Sequence, residues 1–135
     1  MTEKISTKLP ENLVSIAKKK GKVPVAVVCA DQSLVMESVK TAYELNLIDP
    51  IFIGNKNKVN KEAEFLNWEI NNDKIVDSVD EKESAIIGSK LARDNKIKVL
   101  VKGNLHTDIL MRTYLKKEYS LLKGRRLSHI WHLTA

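Results

Sequence analysis

The stretch VPVAVVCADQSLVMESV, residues 23–39, decides the fold class. Its first eight residues, Val23 to Ala30, form a continuous apolar run rich in valine. A strand of a parallel sheet has this composition, because helices cover both faces of such a sheet. Asp31 follows as a candidate N-cap, and apolar residues then recur at helical spacing. The stretch therefore predicts a buried strand and then a helix that runs to about Leu45.

The same alternation of strand and helix continues along the chain. Apolar runs predict further strands at residues 51–54, within 67–79, at 99–102 and at 126–133. Periodic apolar patterns predict other helices at residues 11–20, 59–66, 81–94 and 107–119. Alternation at this spacing indicates right-handed crossovers. The predicted fold class is therefore α/β, with a doubly wound, mainly parallel sheet flanked by helices.

The length of 135 residues suits one domain with a single core. Residues 1–22 are polar and rich in lysine, and they are predicted as an N-terminal helical lead-in. Residues 23–135 are predicted as a single α/β domain. No further helix follows the predicted last strand, so we expect either a minimal domain or the front portion of a longer architecture.

The composition excludes several classes of protein. Apolar residues make up 43% and charged residues 30%, as in soluble globular proteins. No apolar run could span a membrane and no secretory signal is evident, so a cytoplasmic location is expected. The single Cys29 excludes an internal disulfide and is expected in the core. Of the 23 basic residues, 19 are lysine, and no nucleic-acid motif accompanies the net charge of +6. Nucleic-acid binding is therefore the least favoured alternative.

A candidate anion site follows the strand at 99–102. In open parallel sheets, ligands lie beyond the carboxyl ends of the strands, here at residues 29–33, 54–56 and 102–107. The third of these ends is the richest. Lys102 supplies a charge, Gly103 permits close backbone approach, and free amides at the next helix start attract anions. His106 and Thr107 open that helix, and Thr107 can cap it or bind a phosphate oxygen.

Three arginines extend this cationic pattern. Arg112 lies one and a half turns into the helix and could offer a bidentate fork to phosphate. Arg125 and Arg126 precede the predicted last strand, where one arginine could face a phosphate group. The alternatives are a surface ion pair of Arg112 with Asp108 and a solvated basic loop. Dinucleotide, P-loop and nucleophile-elbow motifs are absent, and the histidines lack metal-ligand spacing, so no metal is expected.

Three segments resemble the phosphate acetyl/butyryl transferase family. They are LVKGNLHTDILMR at residues 100–112, GRRLSHIW at 124–131 and the opening strand–helix–strand at 25–55. The resemblance implies transfer of an acetyl or short acyl group between coenzyme A and phosphate. It also implies the first domain of a two-domain α/β fold similar to isocitrate dehydrogenase, usually a homodimer with its site in the interdomain cleft. Acyl phosphate, phosphate and coenzyme A are the implied partners, with no tightly bound cofactor, metal or membrane.

The resemblance also implies roles for particular residues. Arg112 matches the family's helix arginine, which contacts phosphate or coenzyme A. Thr107 and the Lys102-Gly103 turn match its anion-facing loop, and Ser128 matches a serine in a late strand. No residue is assigned as catalytic. The family's second domain has no counterpart here, so two alternatives stay open: an acyltransferase domain, or a truncated, non-catalytic module for anion or coenzyme A binding or for interaction.

Overall fold

A computed structural model describes residues 9–128 and 130–131 of the chain. Four parallel strands form one sheet: β1 (Val23–Val28), β2 (Ile48–Gly54), β3 (Ile75–Asp77) and β4 (Val99–Lys102). Five helices accompany them: α1 (Glu11–Lys19), α2 (Ser33–Glu44), α3 (Lys56–Phe65), α4 (Glu81–Arg93) and α5 (Thr107–Tyr114). Two short 3-10 helices span Asn72–Lys74 and Lys117–Tyr119. The predicted α/β class with a parallel sheet is confirmed.

The strand order determines where a ligand would bind. The sheet has the order β3-β2-β1-β4. The chain therefore moves outward from β1 through β2 to β3, and then returns to the other side of β1 to form β4. This reversal is the topological switch point of a doubly wound sheet, and it opens a crevice between the carboxyl ends of β1 and β4.

Two apolar clusters pack on opposite faces of the sheet. On one face, α2 and α3 bury Met36 and Val59 against Phe52 of β2. On the other face, α4 and α5 bury Ala85 and Leu110 against the sheet. Full burial of a phenylalanine such as Phe52, which is 1% exposed, contributes about 1.5–3 kcal/mol. The two clusters fix the helices, and with them the loops at the carboxyl edge.

Pro50 lies inside β2 without disturbing the sheet. Gly54 O accepts a hydrogen bond from Ser78 N, the residue after β3. The backbone groups of every second residue of β2, including Pro50 and Phe52, therefore point toward β3. Pairing with β3 begins only at Phe52, opposite Ile75. The backbone nitrogen of Pro50 therefore faces a position where no ladder hydrogen bond is needed. The sequence pattern predicted this strand at residues 51–54, whereas β2 begins at Ile48.

Several predicted boundaries are corrected by the structure. α2 begins at Ser33 with Gln32 as its N-cap, not Asp31. α3 begins at Lys56, because the side chain of Asn55 caps the helix by accepting a hydrogen bond from Lys58 N. α5 ends at Tyr114 and does not run to residue 119, because the backbone becomes extended at residue 116.

The predicted last strand is not formed by the described residues. Residues 126–128 and 130–131 have no strand pairing. Its remaining positions, and residues 1–8 of the predicted lead-in, lie outside the described residues. The division into a lead-in and one domain stays a prediction. Within the described ranges, no helix has the length and apolar character needed to cross a membrane.

Candidate anion-binding site

The turns after β1 and β4 interlock at the switch point. Gly103 N donates a hydrogen bond to Val28 O at 2.8 Å, and Asn104 N donates one to Cys29 O at 3.0 Å. Cys29 has a left-handed backbone with φ of 59°. A Cβ added to Gly103 would lie 2.5 Å from Val28 O and closer still to Cys29 O. Gly103 is therefore required because its backbone passes close to the turn after β1. The sequence analysis had instead attributed this glycine to the close approach of a ligand.

Helix N-termini on the two sides of the switch point have free amides. α2 and α5 have Gln32 and His106 as N-caps, and neither residue makes a side-chain capping hydrogen bond. In contrast, α3 is capped by Asn55, and α4 is capped by Asp80, which accepts from Glu83 N at 2.7 Å. Uncapped first-turn N–H groups and the helix dipole attract anions. The crevice between β1 and β4 is thus flanked by two helix N-termini without side-chain caps, although α5 also has Asp108 in its first turn.

Two side chains add positive charge beside this crevice. Lys102 is exposed, and its Nζ lies 3.4 Å from Gly103 O, so the amine is held against the interlocked turn. His106 Nδ1 lies 3.0 Å from Glu81 Oε2 at the start of α4. This hydrogen bond, with the charge of Glu81, raises the pKa of His106 and favours the imidazolium form. The carboxylate of Glu81 offsets the charge of a protonated His106, so Lys102 supplies the larger share of the positive charge beside the crevice.

The side chains of the other predicted site residues face other parts of the surface. The side chain of Arg112 is 83% exposed, and its Nη2 lies 3.8 Å from Asp108 Oδ2. This is the surface ion pair that the sequence analysis gave as the alternative to a phosphate contact. Thr107 and Ser128 both line a cavity of about 880 Å³ formed by β4, α5 and residues 121–128. Arg125 and Arg126 are exposed beside a shallower hollow of about 500 Å³.

The predicted site residues therefore lie in several different parts of the structure. Lys102, Gly103 and His106 lie together at the switch point, whereas Thr107 is the first residue of α5 and faces the larger cavity. The described residues do not place Lys102, Thr107 and Arg112 around one cavity. A phosphate contact by any member of the set stays a prediction.

Buried polar side chains lie beside the turn after β1. Ser84 of α4 lies beside the Cys29 thiol, and the Ser84 hydroxyl forms a hydrogen bond with that of Ser78. Burial raises the pKa of Cys29, so its thiol stays neutral and behaves as a core group. The described part of the chain contains no cluster of His, Cys, Asp and Glu that could hold a metal ion.

Sequence reasoning missed the contribution of α4. Glu81 forms a hydrogen bond with His106, and Ser84 contributes a buried hydroxyl beside Cys29. One signal for Glu81 was available, since Asp80 and Glu83 mark the helix start: Asp80 accepts a hydrogen bond from Glu83 N, and Glu83 accepts one from Val79 N. Ser84 gave no signal, because a serine within a helix is usually solvated.

The chain is similar in sequence to several known proteins. No protein-family model matches the chain. It is 30% identical over 120 residues to a phosphate butyryltransferase from Clostridium beijerinckii, covering 89% of this chain and 40% of that protein. It is 29% identical over 120 residues to a phosphate acetyltransferase from Thermotoga maritima, again covering 89% and 40%.

Solved structures share the fold. A phosphotransacetylase from Streptococcus pyogenes superimposes with a TM-score of 0.65 at 13% identity, covering 80% of this chain and 42% of that one. A branched-chain phosphotransacylase from Enterococcus faecalis gives 0.53 at 22% identity, covering 72% and 33%. At these identities the structural likeness supports the fold alone.

The solved structures share the α/β fold of this chain. Over most of its length the chain is similar in sequence to phosphate acetyl- and butyryltransferases, which confirms the resemblance seen in the sequence. It spans 40% of the length of the butyryltransferase described above.

Proposed function

We propose that the chain is the phosphate-binding domain of an enzyme that moves an acetyl or short acyl group between coenzyme A and phosphate. One observation carries the proposal: the switch point lies between two helices without side-chain caps and beside the amine of Lys102. Each helix N-terminus stabilises an anion by about 0.3–1 kcal/mol when exposed. Two such helices and a lysine suit a phosphate or acyl phosphate group.

The proposed chemistry uses this charge. The thiolate of coenzyme A attacks the carbonyl carbon of the acyl phosphate, a C–S bond forms, and the C–O bond to phosphate breaks. In the reverse direction, phosphate attacks the thioester and the thiolate leaves. Lys102 and the free amides of α5 would stabilise negative charge on the phosphate oxygens during either step. Since Glu81 favours the protonated form of His106, we assign His106 to charge stabilisation and not to the base that forms the thiolate.

Location and assembly complete the proposal. We expect the protein to act in the cytoplasm on freely diffusing coenzyme A, phosphate and acyl phosphate, without a tightly bound cofactor. The homodimer implied by the family resemblance stays a prediction.

A second candidate is a binding module without catalysis. The described site supports anion binding by itself, since it offers free helix amides and the amine of Lys102 but no residue assigned as catalytic. In this case the switch point would bind phosphate or coenzyme A, but no acyl group would be transferred.

The two candidates are separated by one set of measurements. Acetyl phosphate formation from acetyl-CoA and phosphate reports catalysis, and thermal shift with phosphate, acetyl phosphate or coenzyme A reports binding. Lys102→Met should reduce the phosphate-induced rise in Tm, whereas Lys98→Met, at the other end of β4, should not. Arg112→Ala should reduce it only if the arginine leaves Asp108 to contact the ligand, because a surface ion pair contributes little.

Each outcome has a defined meaning. Turnover supports the acyltransferase, and binding without turnover supports the module. No binding of any of the three ligands, or equal effects of Lys102→Met and Lys98→Met, would refute the assignment of the switch point as the phosphate site.

A further inference from the structure

Glu81 links two helix starts at the carboxyl edge of the sheet. It is the first residue of α4, and its two carboxylate oxygens lie 3.1 Å and 3.0 Å from Nδ1 of His106, which precedes α5. An ionised carboxylate can only accept hydrogen bonds, so Nδ1 is the donor in this contact. The other ring nitrogen, Nε2, is then the atom of His106 that gains or loses a proton.

The start of α4 holds this carboxylate in a defined place. Asp80 accepts a hydrogen bond from Glu83 N at 2.7 Å, and Glu83 accepts one from Val79 N at 2.7 Å. The side chain of Glu81 is 33% exposed, whereas that of His106 is 77% exposed. The less exposed carboxylate on a capped helix therefore orients the more exposed imidazole beside the crevice.

The net charge of this pair depends on the protonation of His106. Charges on three elements act on the imidazole: Glu81 of α4, Asp108 of α5 and Lys102 of β4. The hydrogen bond from Glu81, and then its charge, have the largest influence and raise the pKa of His106. A protonated imidazole neutralises the carboxylate, whereas a neutral imidazole leaves the pair with one negative charge beside the crevice. Because Glu81 raises the pKa, the neutral pair persists to higher pH than it would for an ordinary histidine.

We propose that Glu81 is a positioning residue of the phosphate site, and that it acts through His106 to make anion binding depend on pH. While His106 is protonated, the pair carries no net charge and Nε2 can donate a hydrogen bond to the anion. Once His106 is neutral, Nε2 is an acceptor and the pair is negative, so both changes oppose an anionic ligand. This inference rests on the phosphate site proposed above at the switch point, and it adds the pH range in which that site binds its ligand.

Sulfate binding tests the proposal. Sulfate stays a dianion across the neutral range, whereas inorganic phosphate changes its own charge there and would mask the effect of the protein. The dissociation constant is measured by thermal-shift titration at constant ionic strength from about pH 5.5 to pH 9, which brackets the ordinary histidine pKa. The variants are Glu81→Gln and His106→Gln. Glu44→Gln is the matched control, because it removes a carboxylate that pairs with Lys40 at 3.2 Å near the far end of α2.

The wild type and Glu44→Gln should bind sulfate about 3- to 10-fold more weakly above the pKa of His106 than below it, as expected for one unit charge near a surface site. Glu81→Gln should bind more tightly at high pH, and its loss of affinity should begin at lower pH. His106→Gln should bind weakly at every pH, because its carboxylate partner is never neutralised. Sulfate should also raise the pKa of His106 in an NMR titration of the wild type, a readout that needs no variant.

Two results would overturn the role of Glu81 and leave the phosphate site in place. The first is a wild-type affinity for sulfate that does not change with pH. The second is a pH profile that Glu81→Gln leaves unchanged, even if this variant has a lower Tm without sulfate, since a merely structural contact between α4 and α5 would behave in this way. If neither sulfate nor phosphate binds at any pH, or if Lys102→Met leaves sulfate binding unchanged, the phosphate site itself is refuted and this inference with it.

Discussion

Gly103→Ala should strongly destabilise the protein. The added Cβ would lie 2.5 Å from Val28 O, and the backbone atoms around it cannot move aside as a flexible side chain would. Overpacking of this kind costs about 1–3 kcal/mol. Separating the turns would also weaken the hydrogen bonds from Gly103 N and Asn104 N, at about 1 kcal/mol each. The expected loss is therefore about 3–5 kcal/mol, a large fraction of a typical stability of about 5–15 kcal/mol.

Gly54→Ala is the matched control, because Gly54 also ends a strand at the carboxyl edge. Its Cβ would lie 3.4 Å from Ala30 N, an ordinary contact, and the expected change is within about 1 kcal/mol. Urea denaturation measures both variants, with a slope of about 1–3 kcal/mol per molar urea. If Gly103→Ala were as stable as Gly54→Ala, the close packing of the two turns would be refuted. Gly103 would then be explained by the close approach of a ligand to its backbone.

Two further predictions concern titratable groups. Glu81→Gln should lower the pKa of His106 toward its ordinary value, and an NMR titration would show this change. In the wild type, the pairing of His106 with Glu81 stabilises the fold fully below the ordinary histidine pKa. This stabilisation is lost as the pH rises through the raised pKa. An unchanged His106 titration would contradict the hydrogen bond. Cys29 should react with a thiol reagent far more slowly in the folded protein than in urea, because it is 5% exposed and burial raises its pKa, and equal rates would contradict its burial.

The fold was largely predictable because its signals are local. The valine-rich run of β1 and the periodic apolar positions of α2 and α4 determine strand and helix without knowledge of the partner elements. Pro50 and the break after Tyr114 were misread, because their outcome depends on tertiary surroundings. Pro50 is tolerated in β2 only because β3 begins further along, a fact that no local pattern contains.

The candidate site was predictable in position but not in detail. Strand ends and helix starts located the crevice, and Lys102 and His106 lie there. The direction of a side chain depends on packing across the sheet, so the pairing of His106 with Glu81 was not accessible from spacing. Arg112 shows the same limit, since helical spacing alone permits both a phosphate contact and the observed pairing with Asp108.

Pro50 has a consequence for how molecules of this protein meet. Its ring removes a donor from the flank of β2 where β3 stops, so an incoming strand cannot extend the ladder there in register. On this side of the sheet, a foreign strand is then confined to the margin of β3, whose three residues offer few backbone groups for pairing. Growth of ribbons from this side should accordingly be disfavoured in concentrated solution.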